Sequence, residues 1–507
     1  MTDISLARLH NGVAVPLGKV PTHPLADLQA ALIAAPTQHR RVAAYFGRPL
    51  GDAIELVAVI AADQEGWLEV GRAIVHGDAF ASITTACPQV HLFEREIAET
   101  WGLAPVGHPW SKPVRFVRSR RAGHGAFGQP TEAPLTVGVT DFYRVEGEEV
   151  HEVAVGPVHA GVIEPGHFRF QCYGEQVLHL EISLGYQHRG IEHAVIDGPK
   201  QRVIHQLETL AGDTTIGHTS AYCQAVEGLS GSHAPARAQA LRGIALELER
   251  LANHTGDLGA LAGDVGFLPT AAYCGRLRGD FLNLTAQLCG SRFGRGLVRP
   301  GGVAFDVDAE RIRDVQTKLD AALRDVKSAV RLLWTTASVQ ARFEDTGPVS
   351  ANMARELGLV GLAARASGLR RDVRKSHPSG IFQFVHIPLS TWHTGDVFAR
   401  AYLRWLEIER SVAFIKKQLT ELPSGTTRRA CNPLRPEQLC VSLVEGWRGE
   451  ICHVAMTDPS GALATYKVVD PSFHNWTGLA MSLRNQQISD FPLCNKSFNL
   501  SYCGHDL

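Results

Sequence analysis

The ten cysteines are the residues of this 507-residue chain best suited to hold a soft metal or an iron–sulfur cluster. No two of them are closer than nine positions, so the sequence contains no Cys-x-x-Cys pair. Clusters are usually held by cysteines at such short spacings, so we expect no iron–sulfur cluster carried by this chain. A chain this long needs no disulfides for stability, so we expect reduced, mostly buried thiols. The positions are Cys87, Cys172, Cys223, Cys274, Cys289, Cys431, Cys440, Cys452, Cys494 and Cys503.

The composition is that of an ordinary globular protein, with 45% hydrophobic and 20% charged residues and a formal net charge of −1. There is no basic excess, so nucleic acid is not an expected partner. The first ten residues are polar and predict no signal peptide, and no apolar run is long enough to span a bilayer. Membrane association is therefore expected only through partner subunits. No Rossmann-type Gly-x-Gly-x-x-Gly follows a strand and no Walker A loop is present, so any nicotinamide cofactor would bind another subunit.

The N-terminal part has the pattern of a small α/β domain. Residues 53–62 and 67–75 are apolar runs typical of strands, and residues 91–102 form an amphipathic helix that Gly102 can close. Residues 118–134 are rich in Gly, Pro and Arg without periodicity, which predicts a linker. The alternation over residues 135–183 then indicates β structure.

The remainder, from about residue 190, is predicted to be helical. Apolar residues recur at helical spacing over 237–257, 309–334 and 396–422, and Asp396 can cap the last of these helices. The predicted fold class is α+β. A small α/β domain (1–117) and a linker (118–134) precede a mainly α-helical domain (135–507) that opens with a β hairpin region.

Several sequence segments, taken together, resemble the large subunit of group 4 energy-converting nickel–iron hydrogenases of the formate hydrogenlyase type and the homologous 49-kDa subunit of respiratory complex I. Their order and spacing hold from about residue 150 to residue 507. Residues 87–109 (CPQVHLFEREIAETWGLAPVGHP) are in turn similar to the 30-kDa complex I subunit, which formate-hydrogenlyase-type large subunits carry fused at their N-terminus. The other segments are 156–170 (GPVHAGVIEPGHFRF), 184–192 (LGYQHRGIE), 246–258 (LELERLANHTGDL), 299–303 (RPGGV), 365–378 (RASGLRRDVRKSHP), 395–411 (GDVFARAYLRWLEIERS) and 444–450 (VEGWRGE).

The chain departs from the hydrogenase pattern at the nickel ligands. The family supplies four thiolates as two Cys-x-x-Cys pairs, because nickel in this centre needs soft donors. Alignment on the flanking motifs places these positions at Ala211, Thr214, Ser501 and Gly504, with Cys503 one residue away. Nickel binding is therefore not expected.

Three catalytic candidates follow from the resemblance. Glu164 matches the carboxylate that relays protons in the hydrogenases, although it could also be a hairpin residue with a satisfied hydrogen bond. His159 matches the complex I histidine that contacts the quinone headgroup. The quinone-site tyrosine is absent, since Gly212 stands near its place. Asp213 could keep a polar group there or could cap the following helix.

His167, His218 and Arg365 are candidates for the lining of a cofactor cavity or for a surface facing a partner's cluster. A lone histidine is more often a packed, hydrogen-bonded residue than a ligand. Arg365, with Asp372 and Arg374, could raise the potential of a nearby cluster. The same three residues could equally form a buried ion-pair network that stabilises the fold.

The resemblance implies the large subunit of a multisubunit oxidoreductase on the cytoplasmic side of the inner membrane, with electrons passing from a partner's 4Fe–4S cluster to a quinone or another small acceptor. The expected partners are a small iron–sulfur subunit like the 20-kDa subunit of complex I, a ferredoxin-like subunit and integral membrane subunits. One alternative is a coupling subunit without chemistry of its own. The third alternative is a working hydrogenase, which would require nickel ligands that this sequence does not show.

Overall fold

The computed structural model describes residues 4–128, 136–161 and 163–507. Its N-terminal unit is a four-stranded antiparallel sheet, in the order β1-β5-β4-β3, with two helices. Strands β4 and β5 and helix α2 confirm the predicted elements, and Gly102 ends α2 in the left-handed conformation (φ 61°). The elements are β1 (Ala7–Leu9), β2 (Val15–Pro16), α1 (Leu25–Ala34), β3 (Arg41–Leu50), β4 (Ala53–Ala62), β5 (Trp67–Val75), β6 (Ala79–Ala81), α2 (His91–Trp101) and β7 (Ala104–Val106).

The linker predicted over residues 118–134 lies outside the described residues from position 129 onward. Its described part contains a short 3-10 turn at Ala126–Gly128. An antiparallel three-stranded sheet follows, in the order β10-β9-β8, and confirms the predicted β region. Its strands are β8 (Val150–Val155), β9 (His167–Tyr173) and β10 (Gln176–Ser183). The loop between β8 and β9 carries His159 and Glu164, so the sheet positions both of these candidate residues.

A helical bundle forms the centre of the molecule. Helix α6 is its axis, because it packs along α7 on one side and α13 on the other, and it is buried over most of its length. Asp396 caps α13 as predicted, accepting a hydrogen bond from Ala399 N at 2.8 Å. The elements are α3 (Ile191–Asp197), α4 (Lys200–Glu208), α5 (Thr215–Ser230), α6 (Ala236–Asp264), α7 (Leu268–Cys289), β11 (Val298–Arg299), β12 (Gly302–Val303), α8 (Ala309–Thr335), α9 (Ala337–Phe343), α10 (Ala351–Glu356), α11 (Gly361–Ala366), α12 (Val373–Ser376) and α13 (Val397–Thr420).

The prediction of helix throughout the region after residue 190 was wrong near the C-terminus. Three antiparallel strands, β13 (Gln438–Glu445), β14 (Glu450–Thr457) and β15 (Leu463–Val469), form a sheet there. N-terminal strand β2 adds to its edge, giving the order β15-β14-β13-β2. Their nearly continuous apolar runs match a strand buried on both faces as well as a buried helix, so periodicity could not separate the two. The chain ends with α14 (Pro471–Ser482), α15 (Phe491–Phe498) and α16 (Tyr502–Asp506).

The N-terminal sheet and the C-terminal sheet share one hydrophobic core. Val59 of β4 belongs to the same cluster of buried side chains as Val441 of β13 and Val454 of β14. A buried ion pair between Arg41 and Glu450 also joins the two sheets. The C-terminal sheet in turn packs against α5, so a continuous set of contacts links the N-terminal unit to the bundle. Within the described residues, no helix combines the length and apolarity needed to cross a bilayer.

Candidate functional site

The β8–β9 loop reaches across the molecule to the C-terminal segment. The carboxylate of Glu164 accepts hydrogen bonds from the backbone N–H groups of Tyr502 and Cys503, each at 3.4 Å. These groups belong to the first turn of α16, where unpaired N–H groups favour a negative charge. Burial, together with the nearby Glu164, raises the pKa of the Cys503 thiol to about 12, so this thiol is not a ready thiolate. Glu164 thus lies beside the place of the family's second cysteine pair.

Asp213 forms a two-pronged ion pair with Arg448, whose guanidinium nitrogens lie 2.6 and 2.7 Å from the two carboxylate oxygens. Burial opposes the charge of Asp213, but Arg448 outweighs it and holds the pKa of the carboxyl below its ordinary value. Arg448 also donates to the Asn499 carbonyl at 2.5 Å, and Thr214 donates to Asp213 at 3.0 Å. The pair therefore ties the first cysteine-pair segment to the second.

Glu249 of α6, rather than Asp213, holds the start of α5. Its carboxylate oxygens accept from Ile216 N at 2.7 Å and from Gly217 N at 3.2 Å. Burial raises the pKa of Glu249 to about 8, more than the two N–H donors lower it. Glu249 is therefore a buried carboxylic acid that is largely protonated at neutral pH, close to the Asp213–Arg448 pair.

A buried chain of hydrogen bonds runs from the turn after β15 into the C-terminal sheet. His218 Nε2 lies 2.9 Å from Asp470 Oδ2, and His218 Nδ1 lies 3.2 Å from His453 Nε2. His453 Nδ1 lies 2.7 Å from the Tyr466 hydroxyl. If both imidazoles are neutral, the donors run in one direction, from the Tyr466 hydroxyl through His453 and His218 to the Asp470 carboxylate. These hydrogen bonds therefore connect the Tyr466 hydroxyl to the Asp470 carboxylate through two buried imidazoles.

The residues at the four predicted ligand positions do not fit nickel. Ala211 has no donor atom, and the Ser501 hydroxyl already accepts from Gly504 N at 2.9 Å as the cap of α16. A β-carbon built at Gly504 would lie 2.7 Å from Cγ of Asp470, so a cysteine side chain could occupy that space only if the Asp470 carboxylate shifted. In the parts of the chain that the structure describes, no group of three or more His, Cys, Asp or Glu residues is arranged to hold a metal ion.

The two hairpin histidines make their hydrogen bonds within the hairpin. His159 Nε2 lies 2.8 Å from the Gly166 carbonyl, and His167 Nδ1 lies 3.2 Å from the Gly156 carbonyl. His167 is also contacted by Arg169, whose Nε lies 3.3 Å from the other ring nitrogen. Burial lowers the pKa of His167, so its imidazole is neutral at pH 7. Both rings therefore stabilise the loop that carries Glu164. Their quinone-binding or cavity-lining roles stay predictions.

Arg365 is fully buried at the centre of a network of ion pairs. Its guanidinium lies 2.7 Å from both Glu407 and Glu445, and 3.7 Å from Asp372. Arg374 continues the network from Asp372 to Glu247 of α6. This geometry is that of the stabilising network considered above. A position facing a partner's cluster stays a prediction.

Asp470, Arg448 and Glu249 were not among the residues predicted for this site. Arg448 and Glu249 lie within two of the family-like segments, VEGWRGE and LELERLANHTGDL. These motifs were a signal that could have pointed to the two residues, but they did not indicate which groups the residues would bind. Asp470 stands just before α14 and caps it through Ser472 N at 2.8 Å. The Asp-Pro-Ser order at the start of a helix indicates a cap, and no sequence signal connects this cap to His218.

Comparison with known proteins places the chain in a family. The family model described as "Respiratory-chain NADH dehydrogenase, 49 Kd subunit" matches residues 264–434. The carbon monoxide-induced hydrogenase of Rhodospirillum rubrum is 31% identical over 69% of this chain and 97% of its own length. Formate hydrogenlyase subunit 5 of Escherichia coli is 28% identical over 83% of this chain and 76% of its own length.

An NADH-quinone oxidoreductase subunit of Carboxydothermus hydrogenoformans is 30% identical over 67% of this chain and 93% of its own length. The chain belongs to the complex I 49-kDa subunit family, whose members compared above include hydrogenase and NADH-quinone oxidoreductase subunits. The predicted resemblance and the α+β fold class are confirmed. The relatives are components of complex I-like and hydrogenase complexes.

Proposed function

We propose that this protein is the large subunit of a membrane-associated oxidoreductase complex that works without nickel. A partner subunit supplies electrons from a 4Fe–4S cluster, and the acceptor is a quinone or another small molecule near the place of the family's metal centre. The single observation that carries the proposal is the contact of Glu164 with the backbone N–H groups of Tyr502 and Cys503. This contact holds the Glu164 carboxyl group beside the predicted ligand positions, where this chain has no thiolate pair.

The chemistry requires protons as well as electrons, because reduction of a quinone to a quinol takes up two of each. Glu249 holds a proton at neutral pH, since its pKa is raised to about 8. Glu164 lies on a loop beside the C-terminal segment and can exchange protons between solvent and the site. The Asp213–Arg448 pair contributes a fixed dipole and holds the two substituted segments together.

A second candidate function is a coupling subunit without its own redox chemistry. It is favoured by the Asp213–Arg448 ion pair and the Asp470 carboxylate, which fill space that the hydrogenases give to metal ligands. The buried network around Arg365 joins α6, α13 and β13 and could carry a displacement through the bundle. In this role the chain would transmit conformational change to ion-translocating membrane subunits.

The deciding experiment is elemental analysis of the affinity-purified native complex, followed by reduction of the complex and addition of a soluble quinone. The proposal expects iron without stoichiometric nickel, and reoxidation of the partner's cluster by the quinone. Iron without quinone-dependent reoxidation would favour the coupling function. Stoichiometric nickel would overturn both functions and return the protein to hydrogenase chemistry.

A further inference from the structure

A cavity of about 400 Å³ lies between the N-terminal unit and the C-terminal part of the chain. Helix α2 and the segment 108–114 form one wall, and β10 and α14 form the other. Its volume falls within the range of about 300–1,000 Å³ typical of small-molecule sites. Glu164, Asp213 and Asp470 do not line it, so the cavity is separate from the site described above.

Most of the cavity wall is apolar or aromatic. Leu92 and Trp110 come from the N-terminal side, and Ile182 and Met481 come from the C-terminal side. The ring of His179 lies 5.4 Å from that of Trp110. Such a wall favours the apolar body of a ligand by removing its surface from water.

One cation on this wall has no close counterion. Arg95 uses Nε and Nη2 to donate to the carbonyls of Lys112 and Pro113, at 2.7 and 2.8 Å. Among the described residues, the carboxylates that act on it, Glu99 and Glu181, do so from beyond ion-pair distance. Glu181 is itself paired with Lys112 at 2.8 Å. The guanidinium therefore keeps charge and hydrogen-bonding capacity for a further partner.

On the opposite wall, the buried ring nitrogen of Trp476 lacks a partner among the described residues. Trp476 is only 3% exposed, and its Nε1 has no hydrogen-bond acceptor within the described structure. The nitrogen itself has almost no accessible surface, so Trp476 contributes its apolar ring to the wall rather than a hydrogen bond to a ligand. The cavity thus offers one isolated cation, Arg95, within a mostly apolar surface.

The other ionisable groups of the cavity limit the charge of a ligand. Burial lowers the pKa of His91 to about 3 and that of His108 to about 4, so both are neutral at pH 7. Lys112 is neutralised by Glu181, and Arg484 is exposed at the edge of the cavity. This leaves the half-buried Arg95 as the site for one anionic group.

We propose that this cavity binds a small amphipathic acid, with its apolar body against Trp110 and Met481 and a single carboxylate or phosphate on Arg95. The inference is independent of the proposed redox function, because it uses none of the residues assigned to that function. Such a ligand would bridge the N-terminal unit and the C-terminal part of the chain. Its binding would therefore stabilise the contact between them.

The test is titration of the full-length protein with monomeric dodecanoate, followed by tryptophan fluorescence and calorimetry. Dodecyl phosphate and the uncharged dodecanol serve as comparison ligands. We expect saturable binding of at least one of the two acids. Replacing Arg95 by Gln should weaken it by about 10- to 100-fold, the equivalent of one charge-assisted hydrogen bond. Dodecanol binding should be the same in both proteins, and R331Q, at an exposed arginine of α8 outside the cavity, should bind like the wild type.

A second variant, Ala480→Phe, fills the cavity without removing a charge and should abolish binding of both acids. It keeps the test decisive if the Arg95 variant does not fold. Preference for one of the two acids identifies the headgroup and supports the proposal. Absence of saturable binding to the folded wild type, or binding that neither variant weakens, overturns it.

Discussion

The carboxylate of Asp470 lies in the space that a side chain at position 504 would need, with its Cγ 2.7 Å from the β-carbon that Gly504 lacks. Alignment on the flanking motifs predicts that a cysteine of the hydrogenase pattern corresponds to this position. Here glycine and aspartate fit together, and the aspartate is bound to His218 at 2.9 Å. Position 504 therefore has room for a side chain only if the Asp470 carboxylate moves.

Restoring the cysteine at this position should destabilise the protein. We expect Gly504→Cys to lower the free energy of unfolding by at least about 2 kcal/mol, because the new atoms overlap Asp470. Chemical denaturation measures this, with Gly275→Cys as the matched control, since a β-carbon at Gly275 meets no atom within 4 Å. In combination with Asp470→Ala the cost should be smaller than the sum of the two single changes. Equal stability of the two cysteine variants would contradict the overlap.

Replacing Glu164 by Gln should slow turnover of the assembled complex by about 100-fold or more, because the amide keeps the shape of the side chain but cannot carry the proton. The measurement is donor-to-quinone activity of the purified complex at several pH values. Glu152→Gln is the control, since Glu152 lies on the neighbouring strand β8 and binds Arg169. Unchanged turnover in the Glu164 variant would exclude the relay role.

The stability of the protein should depend on pH through Glu249. Burial raises the pKa of this carboxyl from 4.5 to about 8, so the folded chain holds the proton more tightly than the unfolded chain does. Its stabilising contribution is complete below about pH 4.5 and is lost as the pH rises to about 8.

Over this interval each pH unit removes up to about 1.4 kcal/mol, so Glu249→Gln should flatten the profile of unfolding free energy between pH 5 and 8. Glu421→Gln, at an exposed position, should leave the slope unchanged. A slope that is the same in wild type and E249Q would refute the raised pKa.

Arg365→Gln should destabilise the fold by about 3–5 kcal/mol, because it removes the cation that lies 2.7 Å from the buried carboxylates of Glu407 and Glu445. Thermal and urea unfolding would measure the loss. The exposed Arg331→Gln serves as a control and should change stability by less than about 0.5 kcal/mol. If the two variants unfold alike, the network does not stabilise the isolated chain, and a role at a subunit interface gains support.

Local sequence patterns were enough to predict the helices and strands whose ends are marked by adjacent turn or capping residues. Strand β4 is an apolar run between polar turns, and α13 begins at a capping aspartate. The sheet of β13 to β15 was missed because its strands are apolar on both faces and follow a long helical region. Only their pairing and their contact with the N-terminal unit distinguish them from buried helices.

The site could be predicted only as far as the family motifs reach. Glu164 was found from its motif, but its contact with Tyr502 spans 338 residues and depends on the path of the whole domain. The partners Asp470 and Arg448 were not found, since a carboxylate and a guanidinium carry no local sign of which distant group they will bind. Burial decides the raised pKa of Glu249, and burial is a property of the packed bundle.

The core shared by the N-terminal and C-terminal sheets has a consequence for assembly. A chain divided within residues 118–134 would produce two fragments, each with an exposed apolar surface that is buried in the intact chain. That surface would surround Val59 in one fragment and Val441 in the other. The second fragment would also expose the edge of β13 that β2 covers, which is a template for aggregation. Joining both parts in one polypeptide makes their encounter intramolecular and fixes their ratio at one to one. Translation alone therefore sets a stoichiometry that separately encoded subunits must reach by regulated expression.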